Sequence, residues 1–95
     1  MPYGRCAIYS FEGDDREVIE KSRVGILPIF KQQPGFIAYG VMVQDGQIVS
    51  MSAWNSESDA QAADEAARQW VSENLNAKMT NSVVGDYAWL EFARQ

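Results

Sequence analysis

Asp86 is the ionisable residue whose position most suggests chemistry. In the segment VVGDYAW, strict alternation places Asp86 between Val84 and Ala88, on the apolar face of a strand. A carboxyl group buried on such a face has a raised pKa and can take a phenolic proton as a general base. The pattern therefore makes Asp86 a candidate catalytic base, with the adjacent Tyr87 as a second group able to handle the proton.

Two structural alternatives for Asp86 stay open at this point. A β-bulge near Gly85 would turn the carboxylate to solvent, and an ion pair with Arg5 or Arg23 would occupy it. Either arrangement would leave Asp86 without a role in proton transfer.

The segment QIVSMSAW supplies a second candidate group of residues. Trp54 shares a strand face with Ser50 and Ser52, which suggests a cavity lined by one aromatic ring and two hydroxyls. Such a cavity would let Trp54 stack on a ligand ring. The alternative is that Trp54 plugs the end of the hydrophobic core.

Three further residues are candidates for contacts with a ligand. Arg23 lies midway along the apolar face of the first predicted helix and can anchor an acidic substituent, or it can snorkel or pair with Glu20 or Glu73. Tyr39 and Trp89 can line a ligand cavity or contact a second copy of the chain, and for Tyr39 the pattern favours that contact.

The composition argues against several classes of function. The chain has no histidine, a single cysteine (Cys6) and no carboxylates at ligand spacing, so we expect no metal site. The net charge of −5 and the scattered Lys and Arg residues argue against nucleic acid or an anionic membrane as a partner. The lone Cys6 is typical of a reducing compartment, and the first residues lack the pattern of a signal peptide, which together predict a cytoplasmic protein.

The elements that position these residues follow from periodicity and turn signals. The 95 residues suit one domain, residues 1–95, with the element order β-α-β-β-α-β. The Asp45-Gly46 pair predicts a type I′ hairpin turn, and Pro28 predicts a kink or a division in the first helix. The predicted boundaries are a strand over Tyr3–Ser10, a helix opened by Asp14 and ended by Pro34-Gly35, a hairpin from Phe36 to Trp54, a helix capped by Ser56 and a strand over Val83–Phe92. This order predicts an α+β, ferredoxin-like fold with a four-stranded antiparallel sheet and both helices on one face.

The second strand, FIAYGVMV, is apolar on both faces. Alternation places Phe36, Ala38, Gly40 and Met42 on one side and another apolar set on the other. One face can be covered by the helices, but the second would expose a patch larger than soluble monomers tolerate. The pattern therefore predicts a homodimer in which the second faces of two sheets pack together.

Several segments also resemble a known family. The stretches LPIFKQQPGFIAYGVMV, QDGQIVSMSAWNSESDAQAA and WVSENL look like the small antibiotic biosynthesis monooxygenase-like proteins. The resemblance implies a dimeric α+β barrel, in which two ferredoxin-like sheets meet across the dimer axis. It also implies a site between the sheet and the helices of each subunit, with Trp54 at the position of the family's tryptophan.

The resemblance implies a reaction as well. Enzymes of the family oxidise polycyclic aromatic or quinol-like substrates with dioxygen and need no metal or prosthetic group, and related barrels degrade haem. Many of those relatives carry a histidine about ten residues after the tryptophan, where this chain has Ala63 and Asp64. Because that axial ligand is missing, haem chemistry is not expected. We therefore expect a cofactor-independent monooxygenase, or a related protein that binds a small aromatic or quinol-like molecule; the alternative is a non-catalytic dimeric binding or assembly module with a vestigial pocket.

Overall fold

The computed structural model describes residues 2–93, which form six elements in the predicted order. The elements are β1 (Tyr3–Phe11), α1 (Asp15–Gln32), β2 (Phe36–Gln44), β3 (Gln47–Trp54), α2 (Glu57–Asn74) and β4 (Ala77–Asp86). All four strands are antiparallel to their neighbours, in the sheet order β2-β3-β1-β4. The α+β, ferredoxin-like prediction is therefore confirmed.

Local chemistry explains where the helices and the hairpin begin and end. Asp14 accepts a hydrogen bond from the Arg16 amide at the start of α1, and Ser56 accepts one from the Asp59 amide at the start of α2. Asp45 and Gly46 both have positive φ, as a type I′ turn requires. Of the two outcomes predicted at Pro28, the division does not occur, because α1 runs through this residue as one helix; the kink stays a prediction.

The two faces of the sheet differ in what covers them. The helices cover the face formed by alternate residues of β1 from Tyr3 to Phe11 and by Ile48, Ser50, Ser52 and Trp54 of β3. The opposite face, here called the open face, carries Met42, Val49, Ile8, Met51, Cys6 and Val83 in adjoining rows. Met42 and Val83 remain 55% and 61% exposed, so part of the apolar open face is uncovered in this chain.

The sheet departs from the predicted pattern at two bulges. An irregularity beside Ile37 pairs Phe36 with Trp54, so Phe36 lies on the helix-covered face and not with Ala38 and Met42 as alternation predicted. A second irregularity, opposite Ile8 and Tyr9, interrupts the alternation of β4. The predicted strand Val83–Phe92 is confirmed only over Val83–Asp86, since β4 begins at Ala77 and ends at Asp86.

Candidate functional site

A buried ion pair lies between the sheet and α2. Arg5 lies near the start of β1 with its side chain completely buried, and its Nε donates to Oδ1 of Asp64 over 2.6 Å. The second oxygen of Asp64 accepts from Nε of Arg68, one turn further along α2, over 2.8 Å. The Asp64 side chain is 15% exposed, so this cluster extends from the protein interior to its surface.

The remaining nitrogens of Arg5 contact hydroxyl groups. Nη1 donates to Oγ of Ser50 over 3.3 Å, and Nη2 donates to the hydroxyl of Tyr9 over 3.2 Å. The guanidinium carbon also lies 5.8 Å from the centre of the Phe30 ring, within range of a cation–π contact. Each nitrogen of this buried cation therefore has a partner, which is what makes its burial tolerable.

The ionisation of Asp64 follows from its surroundings. Burial alone would raise the pKa of this carboxyl, but the hydrogen bonds and positive charges of Arg5 and Arg68 outweigh burial and hold the pKa below its usual value. Asp64 is therefore ionised at neutral pH and is poorly suited to act as a base there.

Tyr39 lies on the helix-covered face of β2, beside this cluster. Its ring is 4.4 Å from the ring of Phe30, centre to centre. Burial raises the pKa of the Tyr39 phenol, while Ser50 and the positive charge of Arg5 act in the opposite direction. The prediction that Tyr39 contacts a second copy of the chain is wrong, because its ring packs beneath α1.

Two spaces adjoin Tyr39. The first, here called the outer groove, has a volume of about 220 Å³ and runs between α1 and β2. Its lining is apolar apart from the polar groups of Ser22, Arg23 and Tyr39; the other lining residues are Ile19, Leu27, Gly40 and Val41. The second, here called the inner cavity, has a volume of about 20 Å³ and reaches Tyr9 and Ser50. Ser22, Tyr39 and Val41 line both spaces, so only their side chains separate the two.

Arg23 is the predicted ligand contact that lies in the outer groove. It is exposed at the rim, where its positive charge stands next to the apolar side chains of Ile19 and Leu27. Within residues 2–93, neither Glu20 nor Glu73 forms an ion pair with it. Arg23 is thus placed where a charged substituent of a bound molecule would emerge.

Trp54 is part of the core. Its side chain is fully buried, its indole Nε1 donates to Oγ of Ser52 over 2.9 Å, and its ring meets Phe30 and Phe36 edge to face. The structure brings Trp54, Ser52 and Ser50 to one face, as the alternation predicted. The packing around Trp54 is that of the core plug that the sequence analysis left as the alternative.

Asp86 and Tyr87 lie away from the two spaces. Asp86 is exposed at the last position of the edge strand β4, in the same row as Trp54 but with Tyr3 between them, so the burial that would make it a catalytic base is not present in this chain. Tyr87 folds against Gly4 on the open face, and its hydroxyl donates to the Ser52 carbonyl over 3.3 Å. Trp89 is 79% exposed beyond the last strand.

Sequence reasoning missed the role of Arg5 and Asp64. Arg5 alternates with Tyr3 and Ala7 on the inward face of β1, and an arginine at such a position needs a buried partner. That signal was available, but it did not identify Asp64, since α2 offers several carboxylates. Asp64 lies in the region where many members of the family that the sequence resembles carry a histidine. In this chain both of its carboxylate oxygens accept hydrogen bonds from arginines, Arg5 and Arg68.

Residues 2–93 contain no candidate metal site and no candidate membrane-spanning helix. No group of three or more Asp, Glu or Cys side chains in this part of the chain is arranged to hold a metal ion. In the same residues, neither α1 nor α2 is apolar enough over its length to cross a membrane.

The fold was compared with those of known proteins. No protein-family model and no curated protein matches the sequence. Among solved structures, MupZ from Pseudomonas fluorescens shares 13% identity at a TM-score of 0.72, over 87% of this chain and 69% of its own. The structural-genomics protein YjcS shares 10% identity at a TM-score of 0.72, over 92% of this chain and 99% of its own. A candidate antibiotic biosynthesis monooxygenase from Chloroflexus aurantiacus J-10-fl shares 17% identity at a TM-score of 0.66, over 97% and 98% of the two chains.

The fold is that of the antibiotic biosynthesis monooxygenase-like proteins. The resemblance noted in the sequence is thus confirmed at the level of the fold. At these identities the likeness carries no reaction, because one fold supports many functions.

Proposed function

We propose that the protein binds a small aromatic or apolar molecule, such as a phenol or quinol, in the outer groove between α1 and β2. The observation that carries this proposal is the groove itself: a concave apolar space with few polar groups, which shares Tyr39 with the inner cavity. Pockets of this kind, with an apolar lining and a few convergent polar groups, are the usual form of small-molecule sites.

Arg23 gives the groove its polarity. A ligand ring lying against Ile19 and Leu27 would allow a second, acidic substituent to contact the Arg23 guanidinium. The protein as a whole carries a net charge of −5, so a local cation at an apolar groove favours a weakly acidic ligand over a strongly charged one.

A matched pair of substitutions on α1 tests the binding proposal. Ile19 and Val24 are both exposed apolar residues of this helix, 42% and 68% exposed, but only Ile19 lines the outer groove. Binding of 2-naphthol, followed by calorimetry, should weaken about tenfold or more in Ile19→Glu, because a charge replaces part of the apolar wall. Val24→Glu should bind as the unmodified protein does; equal affinity in all three proteins would overturn the proposal.

A second candidate function is cofactor-independent oxygenation, which is favoured by the fold shared with the Chloroflexus protein. In such a reaction a ring CH₂ loses two hydrogens and gains one oxygen atom from dioxygen, and the other oxygen atom leaves as water. The roles of Asp86 or Tyr87 as proton acceptor and of Trp54 as stacking partner stay predictions. Oxygen uptake with anthrone or hydroquinone, compared among the unmodified protein, Asp86→Asn and Trp54→Ala, tests them. If the protein causes no oxygen uptake, the oxygenase proposal is refuted and the binding proposal stands.

The proposed assembly is a homodimer through the open face. Met42, Met51 and Val83 lie on this face and are all partly exposed in the single chain. A second copy presenting the same rows would bury them in a two-fold interface. In such a dimer the outer groove would stay accessible, because it lies at α1 on the other side of the sheet.

A further inference from the structure

The inner cavity is lined by hydroxyl groups that are connected to a buried cation. Tyr9, Tyr39 and Ser50 all border it, and Tyr9 and Ser50 each accept a hydrogen bond from Arg5. Arg5, Tyr9 and Ser50 are more than nine-tenths buried. The cavity has a volume of about 20 Å³, close to that needed for a single oxygen atom with its hydrogens, and most of the rest of its lining is apolar, with Ile26 and Ile48 among the side chains.

The direction of these hydrogen bonds determines the character of the cavity. A hydroxyl oxygen that accepts a bond from a guanidinium keeps its own proton to donate elsewhere. Arg5 has no lone pair and can only donate, so Tyr9 and Ser50 accept from it and direct their own protons away from it. Tyr39 borders the same space as Tyr9 and Ser50, so the hydroxyl protons of all three residues can point into the cavity.

Charge strengthens this arrangement. Asp64 is shared by Arg5 and Arg68, so the cluster holds two positive charges and one negative charge. The titratable groups around the inner cavity are Tyr9 and Tyr39, with Arg5 behind them and Asp64 and Arg68 beyond it. Preorganised donors backed by a buried cation are the recurring means by which proteins stabilise an oxyanion.

We propose that the inner cavity is an oxyanion subsite, in which the hydroxyls of Tyr9, Tyr39 and Ser50 receive the ionised oxygen of a phenol or enol whose ring lies in the outer groove. The oxygen reaches the cavity between Ser22, Tyr39 and Val41, the side chains that line both spaces. This inference rests on the proposed binding function and narrows its ligand class to weakly acidic phenols and enols. Such a subsite favours the phenolate, the electron-rich form of the ligand.

The ionisation of a bound chromogenic phenol tests the inference. 4-Nitrophenol is titrated with pH in the presence of saturating protein, and its visible absorbance reports the ionised fraction. We expect the phenolate to bind about tenfold or more tightly than the neutral phenol, which lowers the pKa of bound 4-nitrophenol by about one unit. 4-Nitroanisole, which has the same ring and cannot ionise, measures binding to the outer groove alone.

Substitutions identify the residues responsible. Tyr39→Phe and Ser50→Ala each remove one hydroxyl with little change in shape, and each should return the pKa of the bound phenol most of the way to its value in water. Ser72→Ala is the control: Ser72 is exposed on α2, lines neither the outer groove nor the inner cavity, and donates its hydroxyl proton to the Gln69 carbonyl over 2.8 Å. It should leave the shift unchanged.

The outcomes separate the two proposals. If 4-nitroanisole and 4-nitrophenol bind equally well and the pKa of the bound phenol is unchanged, the oxyanion subsite is refuted and the binding function stands. If neither compound binds at the highest protein concentration used, the proposed binding function is refuted, and the proposed oxyanion subsite is refuted with it. A lowered pKa that persists in both Tyr39→Phe and Ser50→Ala would also refute the assignment of the donors.

Discussion

Removing the carboxylate of Asp64 should strongly destabilise the fold. The Arg5 side chain is completely buried, and Asp64 is its only carboxylate partner within residues 2–93. Removing one member of a buried ion pair leaves the other charge uncompensated, at a cost of about 3–5 kcal/mol. Because Asp64 is partly exposed, we expect the lower end of that range for Asp64→Ala, about 3 kcal/mol, which corresponds to a fall of roughly 12–24 °C in Tm for a domain of this size.

Urea unfolding at a fixed protein concentration measures this loss, with tryptophan fluorescence as the signal. Glu65→Ala is the matched control, since Glu65 is the next residue on α2, is exposed and carries the same charge. Adding Arg5→Met to Asp64→Ala should recover part of the stability, because the double variant no longer buries an unpaired charge. If Asp64→Ala lost no more than Glu65→Ala, the ion pair would not be what makes the burial of Arg5 possible.

The ion pair between Arg5 and Asp64 also predicts how the free energy of unfolding depends on pH. The pKa of Asp64 is lower in the folded protein than in the unfolded chain, because Arg5 and Arg68 favour its ionised form. The stabilisation from Asp64 is therefore complete well above the ordinary carboxyl pKa of about 4 and is lost as the pH falls through the lower, folded value. The difference in unfolding free energy between the unmodified protein and Asp64→Ala should narrow as the pH falls below about 4.

Three further predictions concern the interface and the helices. Val83→Asp should shift sedimentation from dimer to monomer, whereas Val84→Asp on the other face of β4 should not; a protein that is already monomeric at micromolar concentration would contradict the proposed dimer. Gly25→Ala should lower the unfolding free energy by about 1–3 kcal/mol and change the tryptophan fluorescence, because a Cβ at residue 25 would overlap the Trp70 ring. Unchanged stability and fluorescence would show that the Trp70 ring can move aside at no cost. Ser56→Ala should cost about 1 kcal/mol in urea unfolding by removing the N-cap of α2, and no loss would mean that another group caps the helix.

The fold was predictable because its elements are encoded locally. The capping residues Asp14 and Ser56, the Asp45-Gly46 turn and the alanines of α2 each act within a few residues of sequence. The last strand was not predictable in the same way. Its alternation is broken by a bulge, and its first half contains the polar residues Lys78, Thr80 and Asn81, so the more apolar segment after Asp86 gave the stronger pattern.

The candidate site was only partly predictable. Arg23 and the common face of Ser50, Ser52 and Trp54 follow from helical and strand periodicity. The ion pair does not, because Arg5 and Asp64 are 59 residues apart and meet only when α2 packs on the sheet. The position of Phe36 beside Trp54 depends on the bulge at Ile37, which has no glycine or proline to indicate it.

Mapping the binding site by NMR is the most direct test of the central claim that a small aromatic molecule occupies the outer groove. In a titration of ¹⁵N-labelled protein with 2-naphthol, we expect the largest amide shifts at Ser22, Arg23, Gly40 and Val41, which surround the groove. Shifts concentrated on the open face, or no shifts at a saturating concentration of 2-naphthol, would contradict it.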